Sequence, residues 1–269
     1  MSTTKDMPNV THMGRKIENI AYAGRDFESI MYMDRKIELV SNTNSGLGGS
    51  LLDGTMEAGF FGEVTQQELI STKDLINMCL PEYTLKDNAI LNENATWLKF
   101  AYMNKVEYIA KQPLYSYVPL NIMNKSNLVD GSRILTINGI KYRIRLIKGK
   151  TEGKQSDTSS NSGEINHYSE WNRLFLPLTK DRNESNYKYP ENVEPDRLKW
   201  TGRYVESDFS FYDDRLRREK LSGAVCQEGL NNNNALVRGN KTVESSLMTG
   251  SNQINQTVGW RPVLEVVDF

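Results

Sequence analysis

Cysteine and histidine are scarce in this 269-residue chain: Cys79 and Cys226 are its only thiols, His12 and His167 its only imidazoles. Two cysteines far apart in sequence make no CxxC pair and no disulfide framework, so a thiolate zinc site is excluded and two buried free thiols are expected. Isolated histidines exclude a His-built metal centre or a Ser-His-Asp triad. No apolar run approaches the roughly 20 residues needed to cross a bilayer, and the opening MSTTKDMPNVTHMGRK has no apolar signal core. The expectation is a soluble protein, made in a reducing cytoplasm and not inserted in a membrane. Charge of one sign is also missing: 33 Lys and Arg against 34 Asp and Glu leave −1, which excludes the uniform basic field of a sequence-independent nucleic-acid binder. What the chain has in excess is asparagine, 26 residues, and several of them are clustered.

Residues 14–43, set in tens, read GRKIENIAYA, GRDFESIMYM and DRKIELVSNT. A ten-residue period suits a six-residue strand and a four-residue turn, with Gly24 and Asp34 at the turns, and predicts a small three-stranded antiparallel meander over 1–41. So short a sheet offers one thin apolar face, carried by Ile17, Ile20, Tyr22, Phe27, Ile30, Tyr32 and Ile37, and needs further cover. A partner chain or another copy of the protein supplies that cover in one reading; folding back onto the same chain is the alternative. The Gly/Ser/Asn-rich stretch SNTNSGLGGSLLDGT then predicts a flexible linker over 42–57.

The body, 58–269, opens with GFFGEV and a short helix in TQQELISTKDLINMCLPEY, with Ser71 or Thr72 near its cap and Pro81 beyond its end. WLKFAYMNKVEYIAKQPL predicts a hairpin turning at Met103-Asn104-Lys105. A sharper hairpin is SRILTINGIKYRIRLIKG, because Asn138-Gly139 tolerates the positive φ of a tight turn. Its second strand places Ile140, Tyr142, Ile144 and Leu146 on one face and Lys141, Arg143 and Arg145 on the other, which is expected to be solvated. Residues 149–166 predict a surface loop and 181–222 loops with short strands. Trp171, Leu174 and Phe175 mark a compact amphipathic stretch, and VGWRPVLEVVDF a closing strand. Trp171 and Trp260 are expected in the core, and Arg261 as an internal hydrogen-bond donor.

SEWNR (169–173) resembles the Glu-Trp segment that opens a short helix in formylglycine-generating, sulfatase-modifying enzymes. VCQEG (225–229) stands where that fold has a Trp-Glu-Trp segment, LVRGN (236–240) resembles its Arg-Gly-Gly strand, and GWRPVLEV (259–266) its terminal Gly-Phe-Arg strand. The resemblance covers about 165–269 and implies a C-type-lectin-like fold. A broader likeness is to bacteriophage virion and tail-fibre proteins, through AGFFGEV (58–64), WLKFAY (97–102), TINGIKYRIRLIKG (136–149), SEWNRLFLP, GWRPVLEV and the decapeptide repeat. The fold class expected is therefore α+β, mainly antiparallel β with short helices, a C-type-lectin-like C-terminal domain and a small N-terminal β repeat.

Catalysis is not expected. The formylglycine-generating enzymes carry a cysteine pair between the Arg-Gly-Gly and Gly-Phe-Arg strands, and NKTVESSLMTGSNQINQTV holds none, so copper-assisted thiol chemistry lacks its ligands. There is no GxSxG, phosphate-cradling loop or HExxH. Carboxylate pairs such as Asp213-Asp214 or Glu191 and Glu194 show sequence proximity, not the cross-cleft spacing of a glycosidase. No cofactor is expected. Lectin-like domains without catalysis bind through loops before the final strand, and here EGLNNNNALVRGNKTVESSLMTGSNQINQTVG occupies that place. Asn231, Asn232, Asn233, Asn234, Arg238, Asn240, Asn252, Asn255 and Gln256 offer donors and acceptors suited to sugar hydroxyls or a peptide backbone; a plain solvated loop is the other reading. The function implied is a virion structural protein adhering to a host surface glycan or protein. Its assembly partners would be other virion proteins and copies of itself, trimers being common in phage fibres. Two alternatives stand beside it: a purely architectural head, collar, tail or baseplate component, and a degenerate formylglycine-generating enzyme.

Overall fold

The computed structural model describes residues 50–81, 91–116, 118–149, 169–180, 200–212, 220–228, 234–239, 243, 245–250 and 258–267, with four strand segments between 21 and 38. The chain divides into two compact units, Met1–Gly48 and Gly49–Phe269.

In the first unit β1 (Ala21–Tyr22) pairs antiparallel with β2 (Arg25–Asp26), and β3 (Ser29–Tyr32) with β4 (Arg35–Glu38). Tyr22 lies opposite Arg25 and Tyr32 opposite Arg35, so one Tyr-to-Arg step recurs ten residues on. Pairing of residues three apart leaves room for a two-residue connection, the shortest hairpin link, and none for a four-residue turn. The outcome is two separate two-stranded sheets where the spacing predicts a single meander. Tyr22, Ile30, Tyr32 and Ile37 fall in these strands, Ile30 opposite Ile37. Ile17, Ile20 and Phe27 lie outside the described residues.

The second unit runs β5 (Asp53–Gly54), β6 (Ala58–Val64), α1 (Thr72–Cys79), β7 (Trp97–Tyr102), β8 (Lys105–Ala110), β9 (Tyr115–Ser116), α2 (Leu120–Lys125), β10 (Asp130–Ile137) and β11 (Ile140–Leu146). It continues with α3 (Glu170–Leu174), β12 (Phe211–Tyr212), β13 (Lys220–Leu221), β14 (Gly223–Val225), β15 (Asn234–Arg238), β16 (Ser246–Gly250), β17 (Val258–Trp260) and β18 (Pro262–Val266). A seven-stranded, wholly antiparallel sheet has the order β10-β11-β18-β8-β7-β6-β5. A five-stranded sheet, β16-β15-β14-β17-β9, contains one parallel pair, β14 with β17. The described residues are thus mainly antiparallel β with a few short helices, which agrees with the expected fold class at that level.

Local chemistry explains the elements. Both hairpin turns place two successive residues at positive φ: Met103 (50°) and Asn104 (61°), then Asn138 (51°) and Gly139 (81°). Lys105, expected in the first turn, is already in the ladder opposite Tyr102. Ser71 caps α1 by accepting the Asp74 N–H at 3.0 Å, and Arg133 reaches from β10 to the Met78 and Cys79 carbonyls at the helix's other end, 2.5 and 3.1 Å away. Part of the predicted linker is structured: Asp53 pairs with Phe60, and its carboxylate accepts from Arg203 Nε and Nη2 at 2.9 and 2.8 Å.

The expected closing strand is two strands. Val258–Trp260 lies in the five-stranded sheet and Pro262–Val266 in the seven-stranded one, with Arg261 alone between them. A proline, which has no N–H to give a ladder, opens the second strand. One core cluster joins the sheets: Phe60, Leu98, Phe100, Ile109 and Val263 of the large sheet pack with Trp171, Leu174 and Phe175 around α3, with Ala224 and Leu236 of the small sheet and with Cys226 just beyond β14. Trp171 and Trp260 are both buried, as expected. So are Cys79 and Cys226, which are free thiols.

Two glycines test how turn strain and packing add. Gly139 sits at φ +81° with nothing within 4 Å of an added Cβ, whereas at Gly239 (φ +72°) that Cβ would lie 2.9 Å from Cζ2 and 3.0 Å from Cη2 of Trp171. Gly139→Ala is expected to cost about 1 kcal/mol, the left-handed penalty alone, and Gly239→Ala about 3 kcal/mol, because overpacking against a buried ring is added. Urea unfolding of the two variants measures the difference.

Candidate functional site

The described residues of highest chemical density surround α3, and each residue of SEWNR has a separate task there. Ser169 caps the helix by accepting the Asn172 N–H at 3.1 Å. Glu170, fully buried, binds Arg145 of β11 bidentately, at 2.8 Å from Nη1 and 2.7 Å from Nη2, and also accepts the Lys148 N–H at 2.8 Å. Trp171 stacks on Phe175 with ring centroids 4.5 Å apart and donates its indole N–H to the Val243 carbonyl at 2.8 Å. Asn172 accepts from Arg238. Arg173 bonds Glu57 at 3.0 Å and lies over the Tyr102 ring, 5.3 Å from its centroid.

The other three motif segments come to the same place. In GWRPV, the Arg261 guanidinium lies 5.3 Å from the Trp171 ring and 5.1 Å from Phe175, and donates to the Phe209 carbonyl at 2.6 Å. Burial pulls its pKa down to about 9. In LVRGN, Arg238 donates to the Gly149 carbonyl at 2.9 Å as well as to Asn172. In VCQEG, Cys226 and Gln227 bond the Leu236 and Ile147 carbonyls through their N–H groups at 2.9 and 3.0 Å, and Glu228 accepts the Gly149 N–H at 2.8 Å. The Cys226 thiol is wholly enclosed, and burial raises its pKa, so it is held as an unreactive thiol.

Next to α3 is an ionic network that the sequence does not announce. Arg145 is expected on a solvated face, but it is 5% exposed and contacts Glu107 at 2.7 Å, Glu170 at 2.7 Å and Glu265 at 3.3 Å. Lys105 and Arg143 complete the cluster through Glu265, at 2.7 and 3.2 Å. The expectation holds for Lys141, which is exposed, and for Arg143, whose side chain is 41% exposed; it fails at Arg145, which Glu170 of α3 meets. Burial works against the charge on Arg145, but the Glu170 and Glu107 carboxylates outweigh it and push the pKa up. Glu107 moves well above the ordinary carboxylate value: burial comes first, the Glu170 charge second, and Arg145 offsets them only in part. Its Oε1 has no partner among the described residues. Burial also opposes the charge on Glu265, yet the Lys105 bond and the Arg145 charge hold its pKa below the usual value. A signal did exist: Glu107 in KVEYIA and Glu265 in PVLEV are single acids inside otherwise apolar strands.

The predicted ligand residues divide sharply. Arg238 does not belong to an exposed face: it is 0% exposed, in a strand whose residues 235–238 are buried on both faces, and its guanidinium is turned inward to Gly149 and Asn172. Asn234 is the first residue of β15, opposite Gly250 of β16. Asn231, Asn232, Asn233, Asn240, Asn252, Asn255 and Gln256 lie outside the described residues, as do Asp213, Asp214, Glu191 and Glu194. Among the described residues no group of three or more His, Cys, Asp and Glu is arranged to hold a metal ion. No helix among them is long and apolar enough to cross a membrane. No protein-family model, curated protein or solved structure matches the chain.

The network makes two measurable statements. Arg145→Met leaves Glu107 and Glu170 buried without their cation and is expected to cost about 3–5 kcal/mol in urea unfolding. Glu107 binds its proton more tightly folded than unfolded, so its contribution to stability is present below the ordinary carboxylate value of 4.5 and is lost as pH rises through the raised folded value. Glu265 acts in the opposite sense, losing its contribution as pH falls below 4.5. Glu107→Gln keeps an acceptor for Arg145 and removes the titration. The stability of this variant relative to the parent should therefore climb as pH rises above about 4.5, by at most about 1.4 kcal/mol per pH unit, in a denaturation series.

Proposed function

We propose that this chain is a non-enzymatic structural protein of a bacteriophage virion, of tail-fibre or appendage type. In this reading its C-terminal part is a C-type-lectin-like domain displayed for adhesion to the host surface. The observation that carries the proposal is the meeting of SEWNR, VCQEG, LVRGN and GWRPV around α3, through Glu170, Trp171, Asn172, Cys226, Arg238 and Arg261. These are the segments on which the lectin-like resemblance rests, and they are distant in sequence. A second support is topological. The chain leaves the large sheet after β11 and re-enters it beside β11 as β18, so that the intervening residues form an excursion whose two ends meet.

In this reading α3 and its arginines are scaffolding, and the ligand is met by the asparagine-rich connections of the small sheet, at 231–233 and 251–257. These carry amide and hydroxyl groups and little charge, which suits a surface glycan or a neutral protein loop. The N-terminal hairpins serve assembly with other virion proteins or with copies of the chain. The purely architectural role is the competing outcome of the same experiment.

Fluorescently labelled full-length protein is mixed with a panel of bacterial cells, with and without periodate oxidation of their surface glycans. Micromolar binding is expected to some of them, lost on oxidation for a glycan receptor, and about tenfold weaker when Asn231, Asn232, Asn233 and Asn234 are all replaced by alanine. Absence of binding to every cell type at about 10 μM would reject adhesion and favour architecture.

A further inference from the structure

A binding edge lies elsewhere in the body, and the argument for it is independent of the lectin-like reading. Among the described residues β10 is an outer strand of the seven-stranded sheet, eight residues long, with β11 on one side and no strand on the other. Ile137 faces Ile140 across the two-residue turn, so Ile137, Leu135 and Arg133 exchange ladder hydrogen bonds with β11. The alternation of an antiparallel ladder then turns the N–H and C=O of Thr136 and Ile134 to the open side. Exposed edges of this kind are normally blunted by charge, proline or a bulge. Here a bulge between Asp130 and Arg133 blunts only the start of the strand, and the Arg133 side chain is committed to the end of α1. The distal half, Ile134–Ile137, has neither charge nor proline, and Ile134 is 46% exposed.

A groove of about 520 Å³ runs beside that half, walled by Thr136, Ile137 and Asn138 on one side and by Gln67, Asp74 and Met78 on the other. Asn138 Nδ2 donates to the Leu69 carbonyl at 3.3 Å and ties the two walls together at the turn. Met78 is another exposed apolar side chain, at 37%. Asp74 is the only charged residue of the lining; its Oδ2 accepts from Ser71 at 2.6 Å and its Oδ1 has no partner among the described residues.

We propose that the edge of β10 and this groove receive an extended peptide strand from a partner protein, added antiparallel or parallel to Ile134–Ile137. The outward N–H and C=O groups of Ile134 and Thr136 supply the main-chain bonds. Ile134 and Met78 take alternate apolar side chains. Asp74 fixes the charge of the occupant: a lysine or arginine in the strand meets its carboxylate, whereas an acidic peptide or an anionic sugar is repelled. A saccharide has no use for donors and acceptors spaced along a strand, and this spacing is the reason for choosing a peptide.

The test uses the full-length protein and a pool of capped octapeptides of alternating valine and threonine, with one lysine placed at each position in turn. At about 1 mM the pool is expected to slow amide exchange at Thr136 and Ile134 about tenfold. Thr136→Pro deletes one outward N–H while leaving the ladder to β11 intact, and should weaken binding about tenfold with an unchanged thermal midpoint. Asp74→Asn, which keeps a side-chain oxygen for the Ser71 hydroxyl, should weaken the same pool severalfold and abolish its preference over a glutamate-containing pool. No slowing of exchange by any peptide, equal binding of a pool N-methylated at every backbone nitrogen, or protection produced only by maltotriose would each overturn the proposal.

Discussion

The bidentate contact between Arg145 and Glu170 sets the geometry of the body, because it ties α3 to the large sheet at one defined place. Arg145 belongs to the large sheet and Glu170 to the helix that covers it. Once that pair is set, Trp171 falls into the core one residue later, Asn172 is presented to Arg238 of the small sheet, and Arg173 faces Glu57. One turn of helix thereby fixes the large sheet, the small sheet and the segment at 57. The pair is surrounded by more acid than base at closest range, with Glu107 and Glu265 both on Arg145. A buried cation shared among three carboxylates is a poor source of net stability and a strong determinant of geometry, since only one arrangement satisfies it.

Local chemistry was legible in the sequence, and packing across sheets was not. The Asn138-Gly139 turn and the Ser71 cap follow from the preferences of a few adjacent residues, and both stand as predicted. The burial of Trp171 and Trp260 follows from their place in apolar motifs. Arg145 misleads because the alternation of a strand separates its two faces without saying where along the strand the second one is covered; β7 nearby is buried at every one of its six positions. Arg238 misleads for a different reason: its neighbours in sequence are polar on one side, but its strand is buried on both faces. In the N-terminal repeat, the ten-residue period is real, but period alone does not divide ten residues between strand and turn. The Tyr22–Arg25 and Tyr32–Arg35 pairs make that division.

The structure also separates two roles that one glance at composition merges. Several charged residues of this body are fasteners between segments: Arg145, Arg238 and Arg261, all buried, and the half-buried Arg203 each bind carbonyls, amides or acids of another segment. The near-zero net charge is therefore no measure of what the outer surface offers to a partner. That surface is better described by what lies uncommitted on it, namely strand edges and amide-rich connections.

The position of β18 between β8 and β11 constrains how the protein is made. Val263 pairs with Ile109 on one side and with Arg145 on the other. During synthesis β8 and β11 therefore leave the ribosome long before the strand that joins them, and each waits with an open side. Closing the sheet requires contacts between residues more than a hundred positions apart, the kind of topology that folds slowly and exposes unpaired strands meanwhile. The largest sheet is therefore incomplete, with β8 and β11 unjoined, until 262–266 have been made.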